Sequence, residues 1–283
     1  MKNFDRNIRF FGAAGQEIIR KTTVAIVGCG GLGQHVIQQL ACLGVGRLIL
    51  IDDEDLSATN LNRYVLAQEN DPIPDTAKVD IAKRAISLID QEIQVVAIKA
   101  ELRSKEVFDA LLLADTIFGC LDNDGARIVL NEFALAYGKE LFDLASDTEN
   151  DGLLRFGGRV SFVGSNPGCL VCMDVLDLKA ANDDLANQNT REDKEKIYGV
   201  EAADLAAAGP SVVSLNGIIA SLAVTEFMVH ITGIRPAKPK LEYRGISGIV
   251  TVQHSLFMDD CYVCNQVRNA GLAANLNRYI LKA

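Results

Sequence analysis

Three features predict an α/β fold. Short apolar runs alternate with amphipathic stretches up to about residue 146, a glycine-rich turn sits inside the first such unit, and two C-x-x-C pairs come late in the chain. The expected architecture is a Rossmann-like, mostly parallel sheet with helices on both faces. C-terminal strands tied by a four-cysteine zinc site follow it.

Each element has its own justification. Residues 1–20 are a helical lead-in, because AGQEIIRK is built of good helix formers. Val24–Val27 is a short apolar run before glycines, as a buried parallel strand requires. Gly33 to Leu43 places Val36, Ile37, Leu40, Ala41 and Leu43 at helical spacing, and Gly44 and Gly46 end it. Arg47–Ile51, RLILI, is the second strand and completes a βαβ unit. Lys78–Ile89 reads as an amphipathic helix, Gln94–Lys99 as a strand and Ser104–Leu113 as a helix. DTIFGCLDN is a strand ending in acids and an amide, Arg127–Tyr137 a helix and KELFDLA a strand.

Beyond residue 146 the character changes. LLRFGGRVSFVG reads as a strand pair, and Leu176–Asp204 as a polar surface crossover. GPSVVSLNGIIASLAVTEFMVHITG is a long apolar helix with Pro210 near its start and Gly233 at its end, suited to the core and to a dimer contact. KLEYRGISGIVTVQHSL reads as two late strands.

Composition limits the function. The chain has 283 residues, 49% apolar and 23% charged, as expected of a globular protein with a sizeable core. A net charge of −9 disfavours nucleic acid as a main partner. No run of 18 apolar residues predicts a membrane span, and MKNFDRNIRFFG lacks the apolar core of a secretory signal, so a cytoplasmic protein is expected. Cys29, Cys42 and Cys120, isolated in apolar segments, are expected to be small core residues. His35, His230 and His254 are dispersed, without metal-ligand spacing.

The chemistry begins at Gly28-Cys29-Gly30-Gly31-Leu32-Gly33, which fits G-x-G-x-x-G. Such glycines let phosphates approach the backbone, and the helix that follows offers unpaired N–H groups. Asp52 lies 19 residues after Gly33, at the end of the second strand, where a carboxylate reaches ribose hydroxyls. This much leaves NAD and ATP both open. Arg63 in NLNR, with Asn60, and Lys78 at a helix start add cations that suit a triphosphate better than hydride transfer. Asp122 ends an apolar strand, where a carboxylate beside phosphates calls for Mg²⁺. Asn123 and Asp124 are candidate helix caps, Asp53 and Asp55 a solvated strand end, and Glu54 is left open. Cys169, Cys172, Cys261 and Cys264 form two knuckles spaced for a closed, structural Zn²⁺.

Taken in order, FDRNIRFFGAAGQ, VAIVGCGGLGQHV, LGVGRLILIDDEDLSATNLNR, AKVDIAKRAI, FGCLDNDGARIVLN and the cysteine pairs resemble the ThiF/HesA/MoeB family, bacterial relatives of ubiquitin-activating enzymes. The resemblance runs from about Phe4 to Cys264. It implies adenylation, with ATP and Mg²⁺, of the C-terminal carboxylate of a small ubiquitin-like or sulfur-carrier protein that often ends in Gly-Gly. It assigns Gly28, Gly30, Gly31 and Gly33 to ATP, Asp52 to the ribose, and Asn60, Arg63 and Lys78 to phosphates. Asp122 falls to Mg²⁺, and Arg6 to the partner's phosphates across a homodimer. Asn7 and Tyr64 stand where the family usually has glutamine, and Ala77 where proline is common. The stretch from Met173 to Asp260 contains no cysteine, so no enzyme thioester is expected from it. The chain is read as one domain, 1–283, with a nucleotide-binding half at 1–146 and a carrier-binding half at 147–283 that includes a crossover at 176–208. Two rivals remain: activation of a peptide or tRNA-linked carboxylate, and a non-catalytic partner subunit of the same fold.

Overall fold

A computed structural model describes residues 4–72, 74–150, 153–165, 167–186, 211–254 and 257–281. One eight-stranded sheet organises them, in the order β3-β2-β1-β4-β5-β6-β7-β8. Strands β1 (Thr23–Val27), β2 (Arg47–Ile51), β3 (Gln94–Ile98), β4 (Thr116–Gly119) and β5 (Glu140–Asn150) are parallel. Strands β6 (Leu154–Val163), β7 (Lys240–Arg244) and β8 (Ile249–Gln253) continue it antiparallel.

Both faces of the parallel part are covered. Val24 and Ile26 of β1, with Leu48 and Leu50 of β2, join the core beneath α2 (Gly33–Leu43), α3 (Lys78–Ile89) and α7 (Val213–Ile231). Ala25 and Val27, with Ile49 and Ile51, point the other way. They join the core under α4 (Lys105–Leu111), α5 (Asp124–Ala136) and the cysteine knuckles. Burial on both faces is why these strands read as unbroken apolar runs. Two further helices are α1 (Asp5–Lys21), kinked at Gly12, and α6 (Leu178–Leu185), capped by the Asp177 carboxylate.

Several expectations change. LLRFGGRVSFVG is one strand, β6, paired along its length with an extended β5. Gly157 and Gly158 do not break it. A Cβ on Gly158 would come 2.7 Å from Ile219 of α7, so glycine is what lets that helix lie on the strand. Helix α5 starts at Asp124, three residues early, because the Asn123 side chain accepts the Ala126 N–H at 2.8 Å. Asp124 is not its cap; its carboxylate accepts the Asp177 N–H at 2.7 Å. Cys29 is buried as expected, Cys120 is half-buried, and Cys42 is exposed on the outer side of α2.

Residues 187–208 of the crossover and Pro210 lie outside the described residues. Among the described residues, α7 is the one helix long and apolar enough to cross a membrane by length and composition. It behaves as a core helix, packed on α2, β5 and β6, with Phe227 fully buried and Glu226 bonded to Arg235 at 2.5 and 2.7 Å.

Candidate functional site

Strand β1 lies between β2 and β4, and helices α2 and α5 leave its neighbourhood on opposite faces. Ligands of open parallel sheets bind at the carboxyl edge of such a switch point. The glycine turn sits there. Gly28 has φ +91°, and a side chain on Gly33 would collide with the Gly28 carbonyl. Gly31 lies against Asn216 of α7, whereas a Cβ on Gly30 would meet nothing within 4 Å. Gly28 and Gly33 therefore serve the turn itself, and Gly30 leaves space above it. Helix α2 begins without a side-chain cap, and backbone carbonyls take its first N–H groups, Gln34 on Gly30 at 3.1 Å and His35 on Leu32 at 3.1 Å.

Asp52 follows β2 and braces the turn. Its carboxylate accepts the Cys29 N–H at 2.6 Å and the Glu54 N–H at 2.9 Å. Burial pushes its pKa up, opposed by the charge of Lys78 and by the two N–H donors. Each oxygen keeps lone pairs for a further donor. Lys78 is not the solvated lysine that a lone residue at a helix start suggests. Its side chain is 8% exposed and ion-pairs with Glu54, whose side chain is 66% exposed.

Asn60 and Arg63 lie in a 3₁₀ turn, Ala58–Arg63. Two residues unmarked in the sequence hold that turn against the glycine loop. Gln34, fully buried in the first turn of α2, donates to the Arg63 carbonyl at 2.7 Å and accepts the Leu66 N–H at 3.1 Å. Tyr64 donates its hydroxyl to the Cys29 carbonyl at 2.6 Å. The signal for Gln34 was a polar residue at a core-facing helical position; Tyr64 gave none beyond its departure from the family's glutamine.

Asp122 is exposed just past β4, with Asn123 donating to it at 3.2 Å. Arg127 was also missed. It is buried, ion-paired to Asp143 at 3.1 Å, and donates to the Leu121 carbonyl at 2.5 Å, which ties the Asp122 loop to β5. Cys120 stands beside the glycine turn, but burial and then the nearby Asp143 raise its pKa, so the thiol stays protonated. Arg6 is exposed in the first turn of α1, which packs on α7. Among the described residues no hydrogen bond or ion pair joins it to Arg63, Lys78 or Asp122. The structure thus brings Gly28–Gly33, Asp52 and Lys78 together, ties the backbone of the turn that carries Asn60 and Arg63 to them through Gln34, and puts Asp122 on the same sheet edge.

A cleft of about 920 Å³ opens further along the sheet, between β6, β7 and residues 174–177. The register aligns Gly119 of β4 with Asp143 of β5, and Asp147, four residues on, with Gly157 of β6. The cleft therefore lies beyond the carboxyl end of β4, on the edge that carries Asp122. Its walls mix Arg155, Arg159, Lys240 and Arg244 with acids; Arg159 donates to the Val175 carbonyl at 2.9 Å and faces Asp147 at 3.5 Å.

The four knuckle cysteines converge beside α5, in the core that it covers. Their sulfurs stand 3.8 Å (Cys169–Cys172), 3.7 Å (Cys169–Cys261) and 3.6 Å (Cys172–Cys264) apart. A tetrahedron of ~2.3 Å metal–sulfur bonds has edges of about 3.8 Å. A disulfide needs about 2.05 Å. The set can hold a metal ion, and among the described residues it is the one group of three or more ligands placed to do so.

Comparison with known proteins gives the family and the fold. The ThiF family matches residues 4–261. The sulfur carrier protein ThiS adenylyltransferase of Escherichia coli is 29% identical over 161 residues, which are 56% of this chain and 61% of that protein. The molybdopterin-synthase adenylyltransferase of the same organism is 28% identical over 246 residues, covering 85% of this chain and 86% of that one. Among solved structures, E. coli MccB with ATP superposes with a TM-score of 0.68 at 21% identity, over 93% of this chain and 75% of that one. At that identity the likeness extends to the fold.

Proposed function

The chain belongs to the ThiF family, and from that premise we propose that it adenylates the C-terminal carboxylate of a small ubiquitin-like or sulfur-carrier protein ending in Gly-Gly, releasing pyrophosphate from ATP. What supports this proposal is an open glycine turn braced by Asp52, with buried Lys78 nearby, the backbone of Arg63 bonded to Gln34 of the helix that follows the turn, and Asp122 on the same edge of the sheet.

The chemical difficulty is bringing one anion to another. A carboxylate at neutral pH is already a nucleophile, so no general base is needed. What is needed is charge neutralisation and placement. The turn built by Gly28, Gly30, Gly31 and Gly33 takes the phosphates in the space above Gly30, and Asp52 accepts from the ribose. Arg63 and Lys78, with Asn60 beside them, offset the triphosphate charge; Lys78 exchanges Glu54 for phosphate. Arg6 serves the neighbouring subunit of a homodimer. Asp122 is an exposed carboxylate that would hold Mg²⁺ beside the phosphates. When bound there, Mg²⁺ would supply positive charge against the triphosphate. The carrier carboxylate attacks the α-phosphorus, pyrophosphate leaves, and an acyl-adenylate remains.

No enzyme thioester forms in the stretch from Met173 to Asp260, which contains no cysteine, and near the glycine turn Cys29 is buried and the Cys120 thiol is held protonated. A carrier conjugate released by reducing agent would contradict this. Cys169, Cys172, Cys261 and Cys264 would hold Zn²⁺ in a structural role. The whole chain, 1–283, works as one domain: 1–146 binds nucleotide and 147–283 takes the carrier, whose tail enters by the cleft beside Arg159.

The test is ATP–pyrophosphate exchange that requires a carrier. Asp122→Ala should lower it at least ~100-fold. Exchange at wild-type rate in that variant would remove Asp122 from the mechanism. Peptides with a free carboxylate supporting exchange where carriers do not would shift the substrate to a peptide, and absence of any ATP turnover would leave a non-catalytic subunit.

A further inference from the structure

We infer that Gln34 is a positioning residue for Arg63, coupling the helix that receives the phosphates to the arginine that neutralises them. The inference rests on the ATP proposal above and assigns a new residue to that site.

Gln34 follows Gly33 directly, in the first turn of α2, and is 0% exposed. Its amide uses both functions on one target segment. The NH₂ group donates to the Arg63 carbonyl at 2.7 Å, and the oxygen accepts the Leu66 N–H at 3.1 Å. The two anchor points lie on either side of Tyr64 and Val65, so one side chain grips the backbone just after Arg63 at two places.

A second crosslink runs in the opposite sense. The Tyr64 hydroxyl donates to the Cys29 carbonyl at 2.6 Å, reaching from the arginine segment back to the glycine turn. Burial pushes the Tyr64 pKa up, so the hydroxyl stays a donor. Two side chains of opposite direction therefore join the glycine turn and the arginine segment into one body. The far end of that segment is fixed separately, where Asp71 accepts Arg84 of α3 at 2.6 and 2.7 Å and the Gln68 N–H at 2.7 Å.

Only an amide of this length meets both anchors. Glutamate supplies the acceptor for Leu66 but turns an oxygen toward the Arg63 carbonyl. Leucine fills the space and satisfies neither group. Asparagine is one methylene short. A misplacement of an ångström at a charge that contacts phosphate is costly in binding and in rate.

The experiment measures binding of a fluorescent ATP analogue, with Mg²⁺, to the full chain. It compares wild type, Gln34→Leu, Arg63→Ala and the double variant, with circular dichroism and a melting curve on each. Gln34→Leu should weaken binding roughly tenfold while remaining folded, and the double variant should bind no more than about twofold worse than Arg63→Ala alone. If Gln34→Leu does not fold, Gln34→Glu replaces it in the same cycle. Wild-type affinity in the folded Gln34 variant, or losses that multiply in the double variant, would overturn the inference. Failure of the wild type to bind the analogue would overturn the ATP proposal together with it, so the two failures are distinguishable.

Discussion

At the scale of residues, the glycine turn separates two jobs that the motif merges. A Cβ on Gly33 runs into the Gly28 carbonyl, an atom of the backbone that cannot step aside. A Cβ on Gly30 meets open space. Gly33→Ala should therefore destabilise the fold by about 2 kcal/mol or more, visible as a lowered melting temperature. Gly30→Ala should melt within about 0.5 kcal/mol of wild type, yet bind ATP at least roughly tenfold more weakly, because its methyl occupies the path of a phosphate. Equal melting of the two variants would show that the collision at Gly33 is relieved. The motif itself was readable from spacing. That Gln34, Tyr64 and Arg127 hold its neighbours was not, because each acts on a backbone group more than a helical turn or strand away in sequence: Gln34 on Arg63 and Leu66, Tyr64 on Cys29, Arg127 on Leu144.

At the scale of elements, the segment between β2 and α3 carries Arg63 and is pinned at two places. Gln34 holds it at Arg63 and Leu66, and the bidentate Asp71–Arg84 pair holds it to α3. The hydrogen bond from Arg84 keeps the Asp71 carboxyl below its usual range. A carboxylate with a depressed folded pKa contributes stability that is fully present above the unfolded value, about 3.9, and is lost as pH falls through the folded value. Asp71→Asn should thus melt below wild type at pH 6, and the gap should close as pH drops below about 4. A gap that stays constant down to pH 3 would assign the effect to packing. The elements up to residue 146 follow their apolar periodicity closely, because strands covered on both faces and amphipathic helices leave distinct patterns. Strand β6 departs from it. A glycine pair looks like a turn in sequence and here marks the place where α7 approaches the sheet.

At the scale of the whole molecule, the cysteine set ties the segment after β6 to the C-terminal turns, and both to α5. Arg268 reinforces this tie, donating to the Gly164 and Gly168 carbonyls at 2.8 Å and approaching the Cys264 sulfur at 3.9 Å. Metal held there is folding free energy. Metal analysis should find about one zinc per chain. Its removal by chelator should lower the melting temperature by roughly 10 °C, without abolishing ATP binding at the distant glycine turn. Folded protein free of zinc, with an unchanged melting curve, would refute the site. The sequence by itself determined the α/β class, the glycine turn with Asp52, the cations Arg63 and Lys78, the strand-end acid Asp122 and the paired cysteines. All of these rest on local spacing, which the periods of helix and strand convert directly into position. Only the tertiary structure decided that β5 and β6 form one long antiparallel extension, that Lys78 is buried against Glu54, that Cys42 is exposed, and that Gln34 and Tyr64 lock the arginine segment to the turn. Those outcomes depend on which remote backbone groups come within ~3 Å of one another, and that is settled when the layers pack.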